Sequence, residues 1–260
     1  MTAGVLGTAS LSSSHIVFLL LGGLGAGIFN GVAGGGSLIS FPLLLALGYP
    51  ALTANITNTV GIWPGYAGSA AGFRNEISGQ RDRLAQLSPI AALGGITGAI
   101  LLLTTSSAVF RALAPWLVLA ASILFASQPL LRKALGGTAH TPPRTRPLLL
   151  AGGTFAASVY GGYFGAGLGV LLLAILGLAL PDSILRTSGL RTALSILVNG
   201  VAAAVFLIHG GLAWKAVGLL AAGALGGGWI GARVALSIPA AALRVVVVVV
   251  GLATVIKLLA

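Results

Sequence analysis

Runs of apolar residues with short polar breaks account for nearly all of the chain. The first two, Ile16–Phe29 and Leu38–Leu47, flank Gly31-Val32-Ala33-Gly34-Gly35-Gly36-Ser37. Each is well short of the ~20 residues a helix needs to cross a bilayer, so together they read as one Gly-broken pair. It crosses twice or folds back as a re-entrant hairpin. Ala51–Phe73 follows as a long segment with a polar stripe of Thr53, Asn55, Thr57, Asn58, Thr59 and Tyr66. Arg74–Gln86 reads as a hydrophilic loop, and Leu87–Thr104 and Val109–Leu131 as two spans. Arg132–Pro147, rich in Gly, Pro and basic residues, reads as a linker between halves. The order then repeats. Leu148–Leu180 is broken at Gly161–Gly169, and Ser183–His209, Leu212–Leu236 and Ala240–Leu259 are three more spans. Residues 1–15 form a tail, 16–131 and 148–260 the two repeats. The tail has no basic stretch of the signal-peptide kind, so Ile16 onward is expected to be a retained membrane segment.

The repetition has a fixed register. Gly31, Gly34, Gly36 and Pro50 recur as Gly162, Gly165, Gly167 and Pro181, since 162 − 31 = 181 − 50 = 131. A Gly-broken pair plus three long spans gives each half an odd number of crossings, which turns the second half upside down. The expected fold is an all-α polytopic membrane protein of two inverted-topology repeats. Basic residues near span ends agree: with residues 74–86 and the linker in the cytoplasm, Arg74, Arg81, Arg83, Arg132, Lys133, Arg144, Arg146, Arg186, Arg233 and Arg244 fall inside. Only Arg111, Lys215 and Lys257 fall outside, ten against three. Parallel halves would give nine against four, so the positive-inside rule prefers the inverted arrangement narrowly. The N-terminus is then external.

Composition fixes the class. The chain is 57% hydrophobic and 7% charged over 260 residues, against roughly 25% charged in soluble domains. A net charge of +11 does not point to nucleic acid, because the basic residues are dispersed at the ends of apolar runs instead of gathered on one face. Orientation and contact with anionic lipid are the better reading. Cysteine is absent, and no histidine or carboxylate spacing suits a metal, so neither a cofactor nor a metal is expected.

The breaks carry the candidate chemistry. A helix starting inside a membrane presents unpaired N–H groups and the positive end of its dipole, a setting suited to an anion. Gly34, Gly35, Gly36 and Ser37 are placed to start Leu38–Leu47, with Ser37 as the N-cap, and Gly165, Gly167 and Gly169 to start Val170–Leu180. Glycine leaves those amides uncovered. Two such segments at corresponding positions in two halves are a sequence pointer to a transport site. Ser188, Arg191 (or Thr192), Ser195 and Asn199 share one helical face, and Asn55, Thr57, Asn58 and Thr59 supply a polar set in the first half. Such Asn and Thr residues also serve as interhelical hydrogen bonds. Arg191 stands out, since a charge within a span is costly; snorkelling to the headgroups is its other reading. Asp182 reads as a helix N-cap, and Glu76 and Asp82 as solvated partners of nearby arginines. No carboxylate falls mid-span, which disfavours a carboxylate proton relay, and no nucleophile–base pair suggests an enzyme.

These residues resemble the TauE/SafE family of membrane permeases, often called sulfite exporters. The resemblance rests on Gly31–Ser37, the following Leu38-Ile39-Ser40-Phe41-Pro42, Thr53–Thr59 leading to Pro64-Gly65-Tyr66, and the second cluster Gly161–Gly169, and it covers roughly Ile16–Leu259. Leu168 departs from it, standing where family members often carry a further glycine. The resemblance implies a multi-pass plasma-membrane transporter of small sulfur-containing or organic anions. The bilayer and a small anion are its expected partners, and the sequence leaves a homo-oligomer open. An anion channel or uniporter without an occluded state is the alternative.

Overall fold

The computed structural model describes residues 12–32, 34–130, 133, 146–234 and 240–259. Among them every regular element is helical: α1 (Ser13–Val32), α2 (Ser37–Ala46), α3 (Ala51–Ile62), a 3₁₀ turn (Trp63–Gly65), α4 (Tyr66–Gly72), α5 (Arg74–Ser78), α6 (Arg81–Thr104) and α7 (Ser107–Ala126). The second half contributes α8 (Pro147–Tyr163), α9 (Leu168–Ala179), α10 (Ile184–His209), α11 (Trp214–Val234) and α12 (Ala240–Leu259). Of these, α1, α6, α7 and α10 are long and apolar enough to cross a bilayer. Val17, Leu93, Ile123, Ile208 and Val249 face outward, whereas Asn55, Thr57, Asn58, Ser158, Arg191 and Asn199 are buried. Apolar outside and polar within is the distribution a hydrocarbon solvent imposes. The molecule is a multi-pass membrane protein.

Both broken pairs fold back on themselves. Gly22 and Gly25 of α1 meet Leu43 and Ile39 of α2, and Gly153 and Gly161 of α8 meet Ile175 and Leu168 of α9, each with descending register. The return arms have 10 and 12 residues, about 15–18 Å of rise, roughly half a hydrocarbon core. Each pair is thus two antiparallel helical arms packed on one another.

Two expected elements differ. Ala51–Phe73 is interrupted by the 3₁₀ turn at Trp63-Pro64-Gly65, where Pro64 withdraws a helix-interior donor; Gly65 there lies against the Ala224 carbonyl. The expected loop 74–86 is mostly helical, forming α5 and the first turn of α6. Asp82 sits in that first turn, a favourable place for a negative charge in the helix dipole.

Helix crossings are built on glycine and reveal direction. Gly23 meets Leu220, Gly27 meets Ala224 and Gly231 meets Ile28, so α1 and α11 run parallel. Gly94 meets Phe155 and Ser158, and Gly98 meets Val159 and Tyr163, so α6 and α8 run parallel as well. These are the two most extensive helix pairings. The segment α3–α4 follows α11 in the same sense (Gly61 at Leu220, Gly65 at Ala224, Gly68 at Gly228). It opposes α10, with Thr57 bonded to Ala213, Trp63 to Ile196 and Gln80 to Arg186. Because α6 tracks α10 in the same direction (Arg83 at Asp182, Gly95 at Val198), α8 runs opposite to α1.

The α9–α10 turn carries a junction between halves. Asp182 accepts hydrogen bonds from Arg83 and from Arg186 Nε at 3.2 Å. The N-cap expected of Asp182 belongs instead to Ser183, whose hydroxyl accepts from the Arg186 N–H at 3.3 Å. Burial pushes the Asp182 carboxyl up, but hydrogen bonds from Arg83, the Ser183 N–H and Arg186 outweigh it and hold the group below its ordinary value. Its stabilising contribution is therefore complete above the ordinary carboxylate range and is lost as pH falls through the lowered value. With Arg83 and Arg186 side chains 33% and 46% exposed, the effect is about 1 kcal/mol. Thermal melts between neutral and strongly acid pH should show an acid loss of Tm that is smaller in Asp182→Asn.

Candidate functional site

The two breaks meet. A methyl group built on Gly169 would lie 3.0 Å from the Cα of Gly34, so the chain segments touch at backbone level. Each break opens in the same way. Gly34 (φ +77°) donates its N–H to the Phe29 carbonyl at 2.9 Å, and Gly165 (φ +79°) to Tyr160 at 3.3 Å. Both bonds reach back five residues, the closure typical of a helix C-terminus that ends in left-handed glycine.

Beyond that point the halves diverge. Gly36 is right-handed (φ −57°), and its N–H is taken by Asn30 Oδ1 at 2.8 Å. Helix α2 begins at Ser37, so Ser37 lies in the first turn and not at the expected N-cap, which is Gly36 with no side-chain cap. Gly167, the counterpart of Gly36, is left-handed (φ +79°). Helix α9 starts at Leu168, two residues before the expected Val170, which puts Gly169 in its first turn. Among the described residues the N–H groups of Ala166, Gly167 and Gly169 donate to no carbonyl or side chain. Three unengaged amides at a buried helix start are an anion-favouring surface.

Arg191 fills the contact between the breaks. It is 4% exposed, and its Nη1 would lie 2.5 Å from a methyl on Gly34 and 3.0 Å from one on Gly169. Its Nη2 reaches Thr192 Oγ1 at 3.4 Å. Asn30, Gly34, Tyr66, Arg191, Thr192 and Ser195 line a cavity of about 10 Å³ beside it, roughly the room of one water. Asn199, 1% exposed, donates to the Tyr66 hydroxyl at 3.4 Å and to the Ser195 carbonyl at 2.8 Å. The three acidic residues of the chain are Glu76 in α5, Asp82 in the first turn of α6 and Asp182 in the α9–α10 turn; none lies among the residues lining the cavity beside Arg191.

The other expected site residues have protein partners. Asn55 donates to the Tyr163 carbonyl at 2.9 Å, holding the end of α8. Thr57 accepts from the Ala213 N–H at 3.1 Å, at the entry to α11. Asn58 accepts from Ser40, tying α3 to α2, and Thr59 bonds the Asn55 carbonyl within its own helix. Gly35 packs against the Phe125 ring and Gly167 against Ala121 and Leu124 of α7. The carbonyl of Ser188 accepts from Thr192. The arrangement thus gathers Gly34, Gly169, Arg191 and Ser195 at one point and uses Asn55, Thr57 and Asn58 to hold the frame around it.

The model of the family described as Sulfite exporter TauE/SafE matches residues 19–258. This chain belongs to the TauE/SafE family. A probable membrane transporter protein of Sinorhizobium sp. is 28% identical over 94% of this chain and 92% of its own length. Another, from Haemophilus influenzae, is 27% identical over 90% of each. No solved structure matches. The TauE/SafE protein described here is accordingly a membrane transporter.

Sequence reasoning passes over Asn30, and it places Thr192 only as an alternative to Arg191 and Tyr66 only in the polar stripe of the first half. Asn30 had a signal: it is the one strongly polar residue in the run 16–32 and sits directly before the first glycine of the break. Its counterpart at +131 is Gly161, so the duplication that exposed the glycines hid the asparagine.

Proposed function

We propose that this TauE/SafE protein moves small oxyanions such as sulfite, a sulfonate or a related organic or sulfur anion, by alternating access around its paired breaks. The observation that carries the reading is the Arg191 guanidinium lodged between Gly34 and Gly169. A planar guanidinium offers a fork of donors that matches an oxyanion, and the amides of Gly167 and Gly169 add donors from one side. Gly34 faces them from the other break, and Ser195, Asn199 and Ser188 lie on the polar face of α10. The opposed directions of α1 and α8 support the inverted-topology reading, with the 132–147 linker cytoplasmic and the N-terminus outside. The cavity has room for about one water, less than any of these anions needs, so the breaks must separate to admit one. That closure supports a transporter with an occluded state over a standing channel. An interior-negative potential favours anion exit by about 2.3 kcal/mol per charge per 100 mV, so export needs no carboxylate relay.

Purified protein in proteoliposomes should take up sulfite, thiosulfate, sulfoacetate or short carboxylates saturably, with stimulation by anion on the opposite side. Flux that never saturates would replace alternating access by the channel reading, and no anion flux would remove both. Gly34→Ala offers a sharper check. The left-handed backbone costs the alanine about 1–2 kcal/mol, and its methyl lands on the guanidinium. Gly48→Ala carries similar strain (φ +85°) with nothing within 4 Å. Both variants should lose similar stability, while only Gly34→Ala should lose most transport.

A further inference from the structure

On the side of α2 that faces away from the breaks, a groove of about 760 Å³ opens between α1, α2, α7 and α12. Phe18, Leu21, Ile39, Pro42, Leu43 and Val250 give it apolar walls. Two cations, Arg111 and Lys257, stand in the same lining. They belong to one end of the molecule. Gly251 of α12 packs on Ser122 and Val118 of α7, and Arg111 shares one lining with Lys257 and Leu258, so the first turn of α7 lies beside the last turns of α12. The Gly48–Pro50 turn closes the groove at that same end. All three carboxylates of the chain lie at the other end, around α5, the start of α6 and Asp182. Among the described residues neither Arg111 nor Lys257 forms an ion pair.

We propose that this groove is a binding site for an anionic phospholipid, its acyl chain lying along α2 and its phosphate held by Arg111 and Lys257. An apolar trough explains a chain, and two cations at its mouth explain a negative headgroup; together they fit one amphiphile. Cations at the ends of membrane helices attract anionic headgroups; in the topology proposed above, these two meet the lipid of the outer leaflet. Two scattered interfacial anchors would not need to share an apolar lining. The occupant would rest on Ile39, Pro42 and Leu43, on the same short helix that begins at the breaks. The lipid therefore buttresses the return arm from behind, and its binding does not depend on which solute the breaks accept.

The test uses delipidated full-length protein in a neutral detergent, with native mass spectrometry and thermal melts as readouts. Phosphatidylglycerol should be retained and should raise Tm, while phosphatidylcholine of the same chains should do so at least several-fold less. Glycerol 3-phosphate alone should give no shift, which separates a lipid from a free phosphate ester. Arg111→Ala/Lys257→Ala should abolish the preference for phosphatidylglycerol, and Arg74→Ala, which removes an exposed charge at the other end, should keep it. Leu43→Trp, which fills the trough, should weaken both lipids while the cations remain. Equal retention of the two lipids, full response to glycerol 3-phosphate, or an unchanged preference in the double variant would overturn the proposal. Each outcome is read without measuring transport, so it stands or falls separately from the oxyanion reading.

Discussion

Arg191→Ala is expected to weaken oxyanion binding about ten- to hundredfold and to bring flux in proteoliposomes close to background. The figure follows from the loss of charge-assisted hydrogen bonds, about 1.5–3 kcal/mol. Arg191→Lys keeps the charge and loses the planar fork, so it should retain partial binding with altered preference among sulfite, sulfonates and carboxylates. Folding is a separate matter, because the guanidinium is 4% exposed and sits against Gly34 and Gly169. Alanine there is small and uncharged and leaves space between the breaks, and the variant should still insert and purify. Titration calorimetry or anion-induced thermal shift on the purified variant checks the binding term directly. Unchanged anion affinity in Arg191→Ala would remove the guanidinium from the site and with it the proposed mechanism.

The largest loss of stability is expected at the glycine crossings. A side chain at Gly98 would begin 2.0 Å from the Val159 carbonyl oxygen and 2.7 Å from the Tyr163 nitrogen. Those are backbone atoms, and no rotamer change clears them, so α6 and α8 would have to part. Gly98→Leu should cost at least about 3 kcal/mol and give little monodisperse protein, while Gly98→Ala should purify with a clearly lowered Tm. Gly152→Leu, on α8 with nothing within 4 Å, is the control and should melt near the parent. A near-parental Gly98→Leu would mean that small residues do not set the distance of this crossing.

The fold was legible where the residue type forces the backbone. Gly34 and Gly165 stand at one offset between apolar runs too short to span, and the structure breaks the chain at both. The interruption at Trp63–Gly65 was not legible, because the polar stripe from Thr53 to Tyr66 reads as one continuous helix and Pro64 is compatible with a kinked span. Segment 74–86 was misjudged for another reason: its charges suit a loop in water, yet at the membrane face they decorate a helix end and partner Asp182. Within the site, Arg191 declared itself by cost, whereas Asn55, Thr57 and Asn58 carry the same amide and hydroxyl chemistry whether they touch a solute or tie helices together. Only coordinates show that each reaches another part of the chain. Arg132 and Arg144, expected on the inside, lie outside the described residues.

The reciprocal pairing of α1 with α11 and of α6 with α8 means that neither half of the gene product owns a complete module. Each half lends its leading helix to the other and borrows one in return, with carbonyls seated against glycines at both exchanges. A polypeptide cut between α7 and α8 should therefore yield two fragments that are each orphaned when made alone and recover only when made together. In the alternating access proposed above, the units that shift would each be assembled from both halves, and the seam of motion would not coincide with the boundary between the halves.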